Sequence, residues 1–304
     1  MDKVILKTEK TITEDGKKTN IVEEKEIKLT EGGKKLQLPS IQSMDQVIGL
    51  DKCEDLEFLL VGMGRLEELK GLENLKKLKK LYVGNQKLTE IKGLENLKEL
   101  EVLKLEQNQI TELKGLENLA NLQELVINNN KITEIKGLDK LVNLKKLDLT
   151  KNNIKELKSI DNLKNLEELK LSENKISEIK NLDNLTKLEI LYLGGNEITE
   201  IKGLDKLKNL KDLSLNANKV KDIKGLENLA NLDQLRLNKN LISEIKGLDN
   251  LEKLTKLHLG NNKLPQNLIK DLGGMGYNGE VKAPQVFVKF SKTGKKPEKT
   301  ESYT

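Results

Sequence analysis

The stretch that decides the fold is LKLEQNQI, Leu103–Ile110, because its frame returns every 22 residues. It reappears as LVINNNKI, LDLTKNNI, LKLSENKI, LYLGGNEI, LSLNANKV, LRLNKNLI and LHLGNNKL. Its asparagine therefore forms a column: Asn108, Asn130, Asn152, Asn174, Asn196, Asn218, Asn240 and Asn262. Gln86 and Gly64 continue the column backwards, so the repeats weaken toward the N-terminus but stay in register to about Met44. Such a period predicts a solenoid whose stacked repeats share one core.

Within one repeat the apolar spacing predicts the local structure. Leu103 and Leu105 stand two residues apart, which indicates a short strand. Asn108 ends that strand, and we expect the stacked amides to bond neighbouring backbone as a ladder. The rest of the repeat is too short for a stable free helix, so we expect a 3₁₀ turn or an extended segment. Gly115 also recurs, replaced only by Ser159 and Asn181, which predicts a tight backbone with positive φ.

The pattern L-x-x-L-x-L-x-x-N-x-I/L resembles the leucine-rich-repeat family over residues 44–264. The 22-residue period resembles the class found in bacterial internalins and in the regulatory subunit of protein phosphatase 1. The resemblance implies an α/β repeat solenoid of about ten repeats. It would be a curved horseshoe with a concave parallel sheet and short 3₁₀ or extended convex segments. It also implies a protein that binds other proteins through that sheet. Regulation of a phosphatase or of a small GTPase is one such function, although no residue of this chain favours either.

The flanking sequences are typical of caps, which a solenoid needs at both ends. Residues 1–43 predict an N-terminal β-hairpin cap, with strands at 4–13 and 20–29 around Asp15-Gly16. Residues 265–290 predict a C-terminal cap that starts with a short helix at 267–274. Residues 291–304 are polar except Tyr303, so we expect a disordered tail.

The composition excludes most kinds of disulfide, metal-binding and catalytic site. The 304 residues include one cysteine and one histidine, which excludes a disulfide framework and histidine-rich or cysteine-based metal sites. Cys53 falls in a core column, and His258 falls in an exposed strand column. No constellation of nucleophile, base and acid and no phosphate-binding loop is present, so we expect no enzyme activity, no cofactor and no metal. The chain has no run of 18 apolar residues and starts without a signal peptide, so we expect no membrane span and a cytoplasmic monomer.

Charge is balanced rather than concentrated. The 54 basic and 49 acidic side chains leave a net charge of +5. One column is acidic from Glu68 to Glu244, and the column two residues on is basic from Lys70 to Lys246. The two stripes run side by side and largely cancel. Nucleic-acid binding needs an uncompensated basic surface, so we expect none.

Only the exposed strand columns vary enough to encode a partner. In adjacent N-terminal repeats they are apolar, which predicts a protein-binding patch on the concave sheet, with a second group of candidates further along. The N-terminal candidates are Phe58, Leu60, Tyr82, Val102, Lys104 and Val126, and the second group is Ile190, Tyr192, Arg236 and His258. Exposed apolar groups with aromatic members are typical of interaction surfaces. Three alternatives stay open: the hairpin covers the patch, the chain is a structural or idealised scaffold without a partner, or it is a secreted internalin-like adhesin. The last would need a signal peptide and a wall anchor.

Overall fold

The computed structural model describes residues 2–14 and 17–297, and the chain folds into two compact units, residues 1–144 and 145–304. The first unit begins with an antiparallel hairpin of β1 (Lys3–Glu14) and β2 (Lys17–Lys28). The short strand β4 (Val47–Ile48) pairs with β1. Two 3₁₀ turns follow the hairpin, at Met44–Gln46 and Leu50–Lys52. The hairpin matches the sequence prediction, and its expected turn at Asp15-Gly16 lies outside the described residues.

Each unit contains its own run of parallel strands, one per repeat. In the first unit the order is β3 (Lys35–Ser40), β5 (Phe58–Gly62), β6 (Lys80–Tyr82), β7 (Val102–Lys104) and β8 (Glu124–Val126). In the second it is β9 (Lys146–Asp148), β10 (Glu168–Lys170), β11 (Ile190–Tyr192), β12 (Asp212–Ser214), β13 (Gln234–Arg236) and β14 (Lys256–His258). The predicted parallel-sheet solenoid is confirmed. Strand β3 lies within the stretch predicted as cap, because Leu36 and Leu38 alternate inward as in the repeats.

The asparagine column forms the expected ladder. Oδ1 of Asn174 accepts the N–H of Ile154 at 3.0 Å. Its Nδ2 donates to the carbonyl oxygens of Leu149 and Leu171, both at 3.0 Å. These three groups lie in the turn after each strand and make no backbone–backbone bond within the described part of the chain, although N–H groups of the same turn, such as that of Lys151, still bond the next repeat. The side chain therefore replaces the missing backbone partners, and Asn174 is only 8% exposed.

The segment after the ladder is built from single turns rather than a helix. The N–H groups of Leu119 and Leu122 each donate to the carbonyl three residues earlier, at 3.0 Å. This places a leucine inward every three residues. Gly115 has φ +97, and the exceptions Ser159 and Asn181 both have φ +60, so the predicted positive φ is confirmed. At Gly247 a Cβ would lie 1.8 Å from the carbonyl oxygen of Ile223, which explains the glycine.

Two helices close the second unit. Helix α1 covers Gln266–Asp271, and α2 covers Pro284–Thr293. Phe287 and Val288 are buried, and Ser291 Oγ donates to Asp249 and accepts the N–H of Leu248. Because α2 continues to Thr293, residues 291–293 are helical rather than part of the predicted tail, and 298–304 lie outside the described residues. Within the described ranges no helix is long and apolar enough to span a bilayer.

Candidate partner-binding face

The solvent side of each parallel sheet carries the variable residues. In every three-residue strand the middle leucine is buried, while the first and third residues point to the other side. We call the surface formed by these first and third residues the sheet face. It is half-buried or exposed at every strand except β12, whose Asp212 and Ser214 are buried. All ten predicted candidate residues lie on this face.

In the first unit the apolar candidates alternate with lysines. The first residues of the strands pair as Phe58, Lys80, Val102 and Glu124, and the third residues as Leu60, Tyr82, Lys104 and Val126. Leu60 lies directly beside Tyr82, but the rest of the predicted patch is contiguous only along diagonals. Lys80 separates Phe58 from Val102, and Lys104 separates Tyr82 from Val126. This checkerboard follows from the register, which places each residue beside its counterpart 22 positions away.

The centre of this surface is an aromatic pair. The rings of Phe58 and Tyr82 meet edge to face, with centroids 5.0 Å apart and an interplanar angle of 87°. Lys35 Nζ lies 5.2 Å from the Phe58 centroid, and Lys104 Nζ lies 5.0 Å from the Tyr82 centroid. Burial disfavours the charge of Lys104, but its bond to Glu124 Oε1 at 3.0 Å and the attraction of the surrounding acidic groups together outweigh this and raise the pKa of Lys104. The pair is thus held between two fixed cations.

The N-terminal hairpin packs against elements other than the strands that carry the aromatic pair. Its inward residues Val4 and Leu6 are buried, and β1 lies against β4 and the 3₁₀ turn at Met44–Gln46, while β2 contacts β3. The strand beside the aromatic pair is β3, whose Lys35 and Gln37 pair with Phe58 and Leu60. Phe58, Leu60 and Tyr82 remain partly accessible. The contacts of the hairpin therefore favour an open patch over a covered one.

In the second unit the candidates form a polar network. Tyr192 Oη donates to Asp212 Oδ2 at 2.8 Å, and Arg236 donates to the other oxygen of Asp212. Arg236 Nη2 also donates to Gln234 Oε1 at 2.8 Å. The Arg236 guanidinium lies 5.6 Å from the Tyr192 centroid. Burial and the Asp212 bond raise the pKa of the Tyr192 phenol. Sequence reasoning did not select Asp212, which is the centre of this network.

The other two candidates lie at the edges of that network. Ile190 pairs with Asp212, and His258 pairs with Arg236, as the columns predicted. His258 is not a fully solvated residue: only 18% of its side chain is exposed, and its Nε2 lies 3.9 Å from Glu280 Oε2. In the second group, Tyr192 and Arg236 are therefore joined through Asp212, while Ile190 and His258 lie beside this polar network.

The described ranges contain a buried cysteine and no cluster of metal-ligating side chains. Residues 2–14 and 17–297 contain no group of three or more His, Cys, Asp or Glu that could hold a metal ion. Cys53 is 2% exposed, and burial raises the pKa of its thiol. A protonated, inaccessible thiol is a poor nucleophile, which agrees with the core role predicted for Cys53.

Two sequence profiles match the repeats. The profile described as "Leucine Rich repeats (2 copies)" matches residues 98–140 and 186–228, and that described as "Leucine rich repeat" matches residues 143–198. Among curated proteins, none matches the sequence at a significant level.

Solved structures share the fold. An internalin C2 of Listeria monocytogenes is 34% identical, with 61% of this chain and 82% of that chain covered and a TM-score of 0.59. An internalin F of the same species is 24% identical, with 76% and 82% covered and a TM-score of 0.58. A leucine-rich-repeat protein of Leptospira interrogans is 26% identical, with 72% and 64% covered and a TM-score of 0.58.

Proposed function

The chain belongs to the leucine-rich-repeat family, and from that premise we propose that it binds a protein partner on the sheet face of residues 1–144. Members of this family generally mediate protein–protein interactions, and solenoid repeats present extended surfaces suited to them. The observation that supports the proposal is the partly accessible Phe58–Tyr82 pair. Aromatic anchors at the centre of a patch usually contribute much of the binding energy.

Capture from native lysate tests this function. The immobilised chain should retain a partner identifiable by mass spectrometry, and Tyr82→Ala combined with Val102→Glu should abolish its retention. Val142→Glu is the matched control, since Val142 is 48% exposed but lies outside the sheet face. The double variant should unfold within about 1 kcal/mol of the parent, because both side chains are partly solvated.

The other outcomes separate the alternatives. A loss of several kcal/mol of stability in the double variant would mean that the patch is a covered, structural surface. Normal capture by the double variant would place the site elsewhere. Retention of no protein at all by the parent would favour a scaffold without a dedicated partner.

A further inference from the structure

Two charged side chains beside the aromatic pair form neither an ion pair nor a hydrogen bond within the part of the chain that the structure describes. Lys80 is the first residue of β6, exposed, and its ammonium forms no ion pair within residues 2–14 and 17–297. Glu106 follows β7, and its carboxylate accepts no hydrogen bond from that same part of the chain. The neighbouring charges are matched: Lys35 pairs with Glu31 and Lys104 pairs with Glu124. Lys80 and Glu106 therefore stand out on an otherwise neutralised surface.

The position of Glu106 depends on the lack of a side chain at Gly84. A Cβ at Gly84 would lie 2.8 Å from both Cδ and Oε1 of Glu106, so the carboxylate lies directly over the backbone of the neighbouring repeat. This buries Oε2, which has no hydrogen-bond partner. A buried carboxylate oxygen without a donor is unfavourable. The nearby Lys104 attracts the carboxylate, but its ammonium is bonded to Glu124.

The two charges lie at opposite ends of the patch. Lys80 pairs with Val102 in the sheet, and Glu106 lies four residues beyond Val102. At about 3.3 Å per extended residue, the separation along the strands is roughly 13 Å. Tyr82 lies between the cation at the start of the strands and the anion at their end, and Phe58 lies beside Lys80 at the start.

We propose that this face binds an extended segment carrying an acidic and a basic side chain four residues apart, with an apolar side chain between them. In an extended chain, residues 1, 3 and 5 share one face and span the same distance of roughly 13 Å. The acidic group then meets Lys80, the apolar group covers the Phe58–Tyr82 pair, and the basic group donates to Glu106. This inference rests on the proposed function and specifies the chemistry of its partner.

Synthetic peptides test the inference without knowledge of the natural partner. Glu-Thr-Leu-Thr-Arg carries the mixed pair, and Glu-Thr-Leu-Thr-Glu and Arg-Thr-Leu-Thr-Arg are its charge controls. NMR titration to millimolar peptide, followed at the amides of β5, β6 and β7, gives each dissociation constant. The mixed peptide should bind about 1.4- to fivefold more tightly than either control, the range for exposed ion pairs.

Variants of the chain should change the preference in a fixed direction. Lys80→Glu should favour the doubly basic peptide, and Glu106→Lys should favour the doubly acidic one. Lys256→Glu is the matched control, because Lys256 is the exposed first residue of a strand in the other unit. It should keep the preference for the mixed peptide.

The unfavourable outcomes are distinct from failure of the proposed function. Equal binding of all three peptides, lost in Tyr82→Ala, would overturn the charge pairing while leaving a protein-binding face. No chemical-shift change with any peptide would overturn the inference outright. The capture experiment judges the proposed function separately in either case.

Discussion

Asn174→Ala is the substitution that tests the central structural argument. The side chain satisfies one buried N–H and makes its two shortest donor bonds to the Leu149 and Leu171 carbonyls, with a longer one to Ser172 O at 3.3 Å. After truncation the Ile154 N–H has no partner, which costs about 1–3 kcal/mol. The carbonyls keep a second donor each, since Asn152 bonds Leu149 and Asn196 bonds Leu171. Their loss adds less than about 1 kcal/mol apiece. The expected destabilisation is about 1–5 kcal/mol.

Two measurements check this figure. Urea unfolding followed by circular dichroism gives the global change, and hydrogen exchange at the Ile154 amide gives the local one. Exchange matters because repeat proteins can open locally without unfolding as a whole. Asn250→Ala is the matched control, since exposed Asn250 makes one bond, from its Nδ2 to Glu227 O at 3.0 Å. It should cost less than about 1 kcal/mol.

Asn174→Asp provides a second test of the ladder, because the stability of this variant should depend on pH. The aspartate keeps an acceptor for Ile154 but sets a carboxylate against two carbonyl oxygens. The pKa of that carboxyl in the folded state should therefore rise above its unfolded value of about 3.9. Because the folded state then binds the proton more tightly, stability should recover as pH falls through the raised pKa. Unchanged unfolding midpoints together with an Ile154 amide as protected as in the parent would refute the ladder argument.

Four further outcomes are expected. Ala217→Gly should stabilise the second unit by about 0.5–1 kcal/mol in urea unfolding, because Ala217 has φ +52, where an L side chain is strained. Ser291→Ala should speed hydrogen exchange in α2 by removing its bonds to Asp249 and Leu248, whereas Thr293→Ala, which loses only exposed bonds to Lys289 O and Lys295 N–H, should not. Cys53 should react with a thiol reagent far more slowly in the folded protein than in urea; rapid labelling of the folded chain would contradict its burial. Double-stranded DNA should not bind at physiological salt, where the Debye length is about 8 Å, and tight binding there would contradict the cancelling charge stripes.

The buried columns were predictable because every repeat solves the same packing problem. A position such as Leu103 meets the corresponding leucines before and after it, so its identity repeats and its direction can be read from spacing. The positive φ of the Gly115 column was predictable for the same reason. At Ser159 and Asn181 the backbone of the repeat, rather than the side chain, sets the conformation.

A second column of residues with positive φ could not be recognised from the sequence, because its residue type varies between repeats. The residue just before each ladder asparagine has φ between +52 and +69, yet it includes Lys151, Glu173 and Ala217. Lys151 and Glu173 are exposed and Ala217 is half-buried, so the repeat tolerates some strain and the residue type varies. The outer asparagines were also missed, although Asn121 and Asn143 each bond a carbonyl 23 residues earlier. Their column is interrupted by lysine and glutamate, which hides the period.

The candidate site was harder to predict because it depends on single departures from the repeat. Glu106 lies over the backbone only because the preceding repeat has Gly84 at the same position, and neither residue is informative alone. Asp212 is buried only because Tyr192 and Arg236 reach it from neighbouring strands. The 22-residue period identifies the residues that all repeats share. Binding of a particular partner depends instead on residues that one repeat has and its neighbours lack. Mutagenesis should therefore start with residues such as Glu106 and Asp212, whose positions depend on particular residues in the neighbouring repeats.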